Sequence, residues 1–302
     1  MPQAWLSRSH AVAMQKTLAT KTQCSGIGVH SGKKVTLRLI PAPVGTGIVF
    51  MRTDLPTAQA SIPARWDTVV DTRLCTVIGN EQGARVGTVE HLMSALFACG
   101  VDNLIIEIDS DEVPVMDGSA DPFMFLIQMA GMAEQKTHRP AIEILTPVEV
   151  QHNGKWARLS PAIEPRFSFE IDFPQAAIGR QSYSFALSQD TFRNEISRAR
   201  TFGFFEEAEQ LRKVGLARGG SLDNAVVIKD AQIMNADGLR YADEFVRHKL
   251  LDAVGDLSLA GATIIGHFEA YCSGHAMNNR LLHALFADTS AWRYVSAEAL
   301  AA

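Results

Sequence analysis

The chain has 302 residues, of which 47% are hydrophobic and 20% are charged, so it can bury a sizeable core and has the composition of a soluble protein. Its net charge is −5 and it contains no run of basic residues, which argues against a nucleic-acid-binding protein. The four cysteines are scattered without a CxxC pair and therefore indicate neither a zinc finger nor a disulfide framework. The sequence shows neither a signal-peptide core nor an apolar run near the ~20 residues of a membrane span, so we expect a cytoplasmic protein.

The first part of the chain is expected to form short strands after a loose N-terminal extension at residues 1–16. The motif GIGVHSG at residues 26–32 is followed by strand-like alternation rather than by a helix. This pattern predicts a hairpin turn around His30–Gly32 and not a dinucleotide-binding loop. Strand-like segments separated by proline and glycine then continue to residue 78.

A buried helix is predicted next, within residues 86–108. Thr88 is the expected N-cap, Gly100 is the expected end, and a strand is expected to follow. Glu90 and His91 lie in the first turn of this otherwise apolar helix. The carboxylate can simply complement the helix dipole, or it can act as a base beside a metal ligand, and the sequence leaves both open.

A second apolar helix and a domain boundary are predicted further along. Residues 122–134, PFMFLIQMAGMAE, begin with proline, which favours the start of a core helix. The polar, proline-containing stretch at residues 137–145 leads into new strands and indicates a boundary. We therefore expect a first domain over residues 17–138, a second over 139–290 and a C-terminal tail over 291–302.

The second half again opens with strands. An Asn153–Gly154 turn between two strand-like segments is a strong hairpin signal. A helix is predicted from about Phe205 to Val214. The residues around it, 205–228, are unusually apolar for a glycine-containing connector, so they either pack on the core or hold an acyl chain.

The helix predicted over Asp243–Asp256 places His248, Asp252 and Asp256 at i, i+4 and i+8, along one face. A histidine and a carboxylate one turn apart can bind one metal ion, although such pairs also occur by chance on surface helices. The leucine and valine positions of the same helix form an apolar stripe, which favours its burial.

A weak internal repeat relates this helix to the first one. Aligning Gly100 with Gly261, an offset of 161 residues (261 − 100), places His91 on Asp252. Each half also runs from strands to a helix and then to an apolar strand. The pattern predicts a duplicated domain whose two copies supply metal ligands from equivalent helix positions.

The candidate site combines residues from both halves: Glu90, His91, Thr201, His248, Asp252, Asp256 and His275. Three protein ligands and one open position are typical of catalytic zinc. His91, His248 and Asp252 would supply the three ligands, provided that the two halves pack face to face.

The remaining candidates match the groups that amide hydrolysis requires. Glu90, next to a ligand, can take a proton from water, and His275, in a turn after a strand, can protonate a leaving amine. Asp256 would orient His275. Thr201 would donate a hydrogen bond to a developing oxyanion.

Five motifs in this order resemble one known family: TVEHL (88–92), MDGSADPF (116–123), SRARTFGF (197–204), DEFVRHKLLDAVGDL (243–257) and SGHAMNN (273–279). The resemblance is to the UDP-3-O-acyl-N-acetylglucosamine deacetylases, the zinc enzymes of lipid A biosynthesis in Gram-negative bacteria, and it covers about residues 17–285. It implies an α+β fold of two similar domains, each a β-sheet with helices, in which the helices pack between the two sheets.

The resemblance also implies a role for each site residue. Zinc would be bound by His91, His248 and Asp252. The catalytic groups would be the general base Glu90, the general acid His275, the oxyanion donor Thr201 and Asp256, which supports the acid. The substrate contacts would be Lys155, Phe173, Phe204 and Lys249, and residues 205–228 would form a hydrophobic passage for the acyl chain.

Three hypotheses follow from the sequence. The first is a zinc-dependent deacetylase that acts as a monomer on a UDP-linked, O-acylated glucosamine; iron(II) suits the same ligands. The second is a non-catalytic nucleotide-sugar or lipid-binding protein with a structural metal. The third is a different zinc amidase on the same fold.

Overall fold

The computed structural model describes residues 13–230 and 232–295. Its two halves are each built around a five-stranded β-sheet. The strands of the first half are β1 (Met14–Leu18), β2 (Thr22–Ile27), β3 (Lys34–Pro41), β4 (Ile48–Arg52), β5 (Ser61–Pro63), β6 (Val69–Asp71), β7 (Val77–Gly79), β8 (Arg85–Val86), β9 (Leu104–Ile108) and β10 (Met132–His138). Those of the second half are β11 (Ala141–Ile144), β12 (Val148–His152), β13 (Lys155–Ser160), β14 (Arg166–Asp172), β15 (Arg180–Ala186), β16 (Phe202–Phe204), β17 (Val226–Lys229), β18 (Gln232–Ile233), β19 (Thr263–Ile265), β20 (His267–Tyr271) and β21 (Trp292–Val295).

The helices of the described residues alternate with these strands. They are α1 (Thr57–Ala60), α2 (Glu90–Cys99), α3 (Asp121–Ala130), α4 (Gln189–Thr191), α5 (Phe205–Lys213), α6 (Glu244–Ser258) and α7 (His275–Ala287). A 3₁₀ turn at Trp66–Thr68 and a π-helical turn at Phe192–Ile196 are also present. No helix in the described part of the chain combines the length and the apolar character needed to cross a membrane.

The two five-stranded sheets share one topology. Their strand orders are β2-β3-β9-β4-β5 and β12-β13-β20-β14-β15. In each sheet the central strand, β9 or β20, comes after the long buried helix in the chain and is antiparallel to one neighbour and parallel to the other. The predicted α+β fold of two similar domains is therefore confirmed.

The buried helices lie between the two sheets. Helices α2 and α6 pack along each other, α6 also packs on β14 and β15, and α7 packs on β12 and β13. Burial covers 9 of the 10 residues of α2 and 13 of the 15 residues of α6. Helices so deeply buried must be apolar on most of their surface, which explains why their few charged residues stand out.

Helices α2 and α6 approach most closely at Gly255. A Cβ atom added to Gly255 would lie only 2.1 Å from the carbonyl oxygen of Glu90. A glycine at this position therefore lets the two helix backbones touch at the end where their charged residues are found.

The ends of the helices differ in part from the sequence predictions. Gly100, with φ +76°, ends α2 as predicted. Thr88 is not the N-cap, because its φ is +56° and its hydroxyl donates to Glu112 instead; the cap position is Val89. The helix predicted over residues 122–134 ends at Ala130, and Met132 already begins β10.

Two strands near the limits of the described residues were not predicted from the sequence. Strand β1 begins at Met14, inside the predicted extension, and pairs with β10. Strand β21, inside the predicted tail, pairs with β11. Both are short strands of five and four residues, too short for alternation of polar and apolar residues to indicate a strand reliably. Residues 1–12 and 296–302 lie outside the described residues.

Candidate metal centre and active site

Three metal-type ligands converge where α2 meets α6. Helix α2 supplies His91, and α6 supplies His248 and Asp252. The Oδ1 atom of Asp252 lies 3.4 Å from Nε2 of His248 and 3.6 Å from Nε2 of His91. Metal–ligand bonds of about 2.0–2.1 Å in a tetrahedral site correspond to ligand–ligand distances of about 3.4 Å. The three residues therefore fit a single metal ion.

Hydrogen bonds to the other atoms of these side chains support this assignment. The Nδ1–H of His248 donates to the carbonyl oxygen of Ala199 at 3.0 Å, which leaves Nε2 free to bind a metal. Oδ2 of Asp252 accepts from Nζ of Lys249 at 2.8 Å, whereas its buried Oδ1 has no hydrogen-bond donor among the described residues. Burial lowers the pKa of His248 to about 4, so its imidazole is neutral, as metal binding requires.

An acid–base pair lies beside the three ligands. Oε1 of Glu90 is 3.7 Å from Nε2 of His275, and potential ligand atoms of Glu90, Asp252 and His275 lie within 4.8 Å of one another. Burial raises the pKa of Glu90. Burial alone would lower the pKa of His275, but the carboxylates of Asp256 and Glu90 outweigh it and raise the pKa to about 9.

Asp256 orients His275 and is itself held by two further residues. The Nδ1–H of His275 donates to its Oδ2 at 2.9 Å. Asn278 donates from Nδ2 to the same oxygen at 2.9 Å, and the hydroxyl of Thr76 donates to Oδ1 at 2.6 Å. Neither partner was predicted from the sequence. Thr76 lies in an ordinary strand-like segment that carries no signal for this role, whereas Asn278 lies in the SGHAMNN motif and could have been found there.

Two backbone hydrogen bonds hold Thr201 in place. Its N–H donates to the carbonyl oxygen of Gly118 and its carbonyl accepts from Val226, both at 2.8 Å. Gly118 has φ +85°, and a Cβ atom there would lie 2.0 Å from the carbonyl oxygen of Asn224. The MDGSADPF turn therefore has to carry glycine to lie against the segment that holds Thr201.

The predicted substrate-contact residues fall into two groups. Phe173 lies with its ring centroid 5.9 Å from that of Phe202 and 6.2 Å from that of Phe204, and Phe202 also contacts the His248 ring. This aromatic cluster thus borders the metal ligands. Lys249 faces Asp252, whereas Lys155 lies exposed at the start of β13 and makes no ion pair with a described residue.

A cavity of about 710 Å³ lies between residues 205–228 and the first half. Its walls include Leu211 and Leu216 on one side and Cys75 on the other. Cys75 immediately precedes Thr76, which contacts Glu90 and Asp256, but neither Glu90 nor His275 lines the cavity. Helix α5, which forms part of this region, has no fully buried residue.

A buried ion pair links the Thr201 segment to the start of α6. Glu244, whose side chain is fully buried, accepts hydrogen bonds from the backbone N–H, Nε and Nη2 of Arg200 at 2.8–3.0 Å, and from the N–H of Arg240. Arg200 follows Ala199, whose carbonyl orients His248, and Glu244 lies one turn before His248. The ion pair therefore fixes the segment that carries the Ala199 carbonyl and the helical turn that precedes His248.

We expect the substitution Glu244→Gln to lower the free energy of unfolding at pH 7 by about 3–5 kcal/mol, because it leaves the Arg200 guanidinium buried without its counter-charge. Arg200 holds the pKa of Glu244 below its ordinary value of 4.5, although burial opposes this. Ionised Glu244 therefore stabilises the fold above about pH 4.5, and this stabilisation is lost as the pH falls through the folded-state pKa.

Urea unfolding of the wild type and the variant, at pH 7 and at a pH below the folded-state pKa of Glu244, measures this effect. The difference between them should shrink at the lower pH. Asp67→Asn, which removes the surface pair with Arg65, is the matched control and should cost less than about 1 kcal/mol. A difference of similar size at both pH values would contradict the assignment to an ionised Glu244.

Three convergent metal-type ligands with an acid and a base beside them, at the junction of two similar α+β domains, are typical of the metal-dependent hydrolases. The sequence profile described as UDP-3-O-acyl N-acetylglycosamine deacetylase matches residues 15–287. The chain therefore belongs to the UDP-3-O-acyl-N-acetylglucosamine deacetylase family, as its motifs indicated.

Individual relatives agree with the family assignment. The chain is 52% identical over 284 residues to the UDP-3-O-acyl-N-acetylglucosamine deacetylase of Idiomarina loihiensis, covering 93% of this chain and 92% of the relative. It is 50% identical over 284 residues to the protein of the same name from Shewanella frigidimarina, covering 93% and 92%. The protein of that name from Mannheimia succiniciproducens is 50% identical over 286 residues, with coverage of 94% and 93%.

Proposed function

We propose that this protein hydrolyses the N-acetyl group of UDP-3-O-acyl-N-acetylglucosamine, giving the free amine and acetate, as a metal-dependent enzyme of lipid A biosynthesis in the cytoplasm. The observation that carries the proposal is the position of the Glu90–His275 pair beside the metal ligands, since Asp252 lies within 4.8 Å of both groups. The family and the names of the relatives supply the substrate class.

The metal would be held by His91, His248 and Asp252, and zinc is the ion that we propose, although iron(II) suits the same donors. When bound, the ion supplies a Lewis acid. Structural zinc sites are closed by four protein ligands, whereas three such donors converge here among the described residues. This difference favours catalysis over a non-catalytic binding protein with a structural metal.

Glu90 would act as the general base. The backbone N–H of Thr76 donates to its Oε2 at 3.1 Å, which directs Oε1 toward His275. Burial raises the pKa of Glu90, and a more basic carboxylate accepts the proton of an attacking water molecule more readily.

His275 would act as the general acid. Its pKa of about 9 keeps the imidazole protonated at neutral pH, and Asp256 binds the proton on Nδ1. The proton on Nε2 then remains available for the leaving amine nitrogen. Thr201 would donate a hydrogen bond to the oxyanion that develops on the acetyl group.

The remaining predicted residues would bind the substrate. Phe173 and Phe204, which belong to the aromatic cluster beside His248, would contact the nucleotide-sugar, together with Lys155 and Lys249. The cavity beside residues 205–228 would hold the acyl chain, because Leu211, Leu216 and Cys75 give parts of its wall an apolar character.

Acetate release from UDP-3-O-acyl-N-acetylglucosamine, measured with metal-stripped protein and stepwise addition of zinc, tests the proposal. We expect no activity in the stripped protein and maximal activity at about one equivalent of zinc, because three ligands form one site. His248→Ala should bind zinc more weakly and remain inactive at the same zinc concentration.

Each unexpected result of this experiment would contradict a different part of the proposal. Acetate release that does not depend on metal would contradict the assignment of His91, His248 and Asp252. Zinc binding without acetate release would contradict the substrate assignment. Profiling of other N-acylated sugars would then test whether the protein is a different zinc amidase.

A further inference from the structure

Thr76 links the two halves of the active site. It immediately precedes β7 in the small β6-β7-β8 sheet and is only 2% exposed. Its N–H donates to Oε2 of Glu90 at 3.1 Å, and its hydroxyl donates to Oδ1 of Asp256 at 2.6 Å. Its carbonyl oxygen accepts from the N–H of Val89, at 3.4 Å. All of its polar atoms are therefore used, and two of them bind carboxylates on different helices.

The hydroxyl of Thr76 fixes the orientation of the Asp256 carboxylate. Oδ2 of Asp256 accepts from His275 and Asn278, and the donor that reaches Oδ1 among the described residues is Thr76. A carboxylate held at both oxygens cannot rotate about its side-chain bond. The direction of the hydrogen bond to Nδ1 of His275, and with it the direction of Nε2, is therefore fixed.

The N–H of the same residue fixes the other side of the site. Glu90 receives this hydrogen bond on Oε2, so that Oε1 points to Nε2 of His275 at 3.7 Å. The backbone and the side chain of one residue thus set the separation between base and acid.

We propose that Thr76 is a positioning residue for the deacetylation. Its hydroxyl holds Asp256, and Asp256 in turn holds His275 in the orientation that faces Glu90. The inference rests on the proposed function, since it concerns the same acid and base. It does not make Thr76 a catalytic residue, because Thr76 touches Glu90 and Asp256 rather than the reacting atoms.

A pair of substitutions separates the hydroxyl from the rest of the side chain. Thr76→Val keeps the shape and the backbone N–H but removes the hydroxyl, whereas Thr76→Ser keeps the hydroxyl. We expect Thr76→Val to lower kcat for acetate release by roughly 10- to 100-fold, the usual effect of removing such a supporting hydrogen bond, with KM and zinc content nearly unchanged. Thr76→Ser should restore most of kcat.

Thr17→Val is the matched control for a loss of stability alone. The hydroxyl of Thr17 is also buried, donating to the carbonyl oxygen of Asn103 at 2.6 Å and accepting from the N–H of Ala42. Asn103 lies beyond the C-terminal end of α2, whereas Glu90 is its first residue. Thr17→Val should therefore lower the Tm without lowering kcat, whereas Thr76→Val should lower kcat at temperatures where it is fully folded.

Two results would overturn the inference. One is a kcat of Thr76→Val close to that of the wild type; the other is an equally low kcat for Thr76→Ser and Thr76→Val, because the hydroxyl would then not be responsible. If the valine variant does not fold, Thr76→Ala and Thr76→Ser form the same comparison. Absence of acetate release by the wild type would instead refute the proposed function, so the two failures are distinguishable.

Discussion

Replacing Glu90 with glutamine is expected to lower kcat for acetate release by roughly 10²- to 10⁴-fold, the usual contribution of a general base. The amide has nearly the same shape as the carboxylate, and its oxygen can still accept the hydrogen bond that Thr76 donates to Oε2. It cannot accept a proton from water, however. KM and the amount of bound zinc should therefore change little, because the metal ligands on α2 and α6 are retained.

Steady-state kinetics and metal analysis of the same protein samples measure this effect. Glu107→Gln is the matched control, since Glu107 lies on β9 and pairs with Arg38 at 3.4 Å, away from the site. Its kcat should equal that of the wild type. If Glu90→Gln kept full activity, another group would have to act as the base; if it lost its zinc, the loss of activity would reflect the metal site instead.

Replacing Gly255 with alanine is expected to damage the fold severely. Glycine to alanine inside a helix ordinarily stabilises it by about 1 kcal/mol. At this position the new Cβ would lie 2.1 Å from the carbonyl oxygen of Glu90, and backbone atoms cannot move aside as a flexible side chain can. We therefore expect the free energy of unfolding to fall by at least about 3 kcal/mol, together with loss of zinc affinity.

Urea unfolding and zinc titration of the variant test this prediction. Gly203→Ala provides a control for stability, because a Cβ there would have no heavy atom within 4 Å beyond its chain neighbours and the backbone is not left-handed. That substitution should leave stability nearly unchanged. A Gly255→Ala protein as stable as the wild type would mean that α2 and α6 can separate without cost, contrary to their close contact here.

The convergence of two of the candidate metal ligands could be predicted because these residues follow local periodicity. His248 and Asp252 are one helical turn apart, so the sequence alone places them on one face of α6. The place of His91 in the same site could be predicted only from the offset that aligns Gly100 with Gly261 and from the family motifs. The shared topology of the two sheets agrees with that alignment.

The sequence predicted Asp256 as a supporting residue but not Thr76, Arg200 or Glu244, because the hydrogen-bond partners of these three residues are distant in the sequence. Thr76 and Asp256 are 180 residues apart, and Arg200 and Glu244 are 44 apart. Each lies in a segment whose local pattern only indicates a strand, a turn or a helix. Such hydrogen bonds depend on how the two domains meet, which periodicity within one element does not determine.

The shared topology of the two sheets also has an evolutionary consequence. Two copies of one topology in a single chain indicate an ancestor of about half this length, of which a pair of copies would have supplied the two sheets. In such a pair, the position of His91 in one subunit would have been equivalent to that of Asp252 in the other. Fusion would have allowed the copies to diverge, so that the first half now carries Glu90 and the candidate ligand His91, and the second carries the candidate ligands His248 and Asp252 together with His275. Neither half of the present chain carries a complete set.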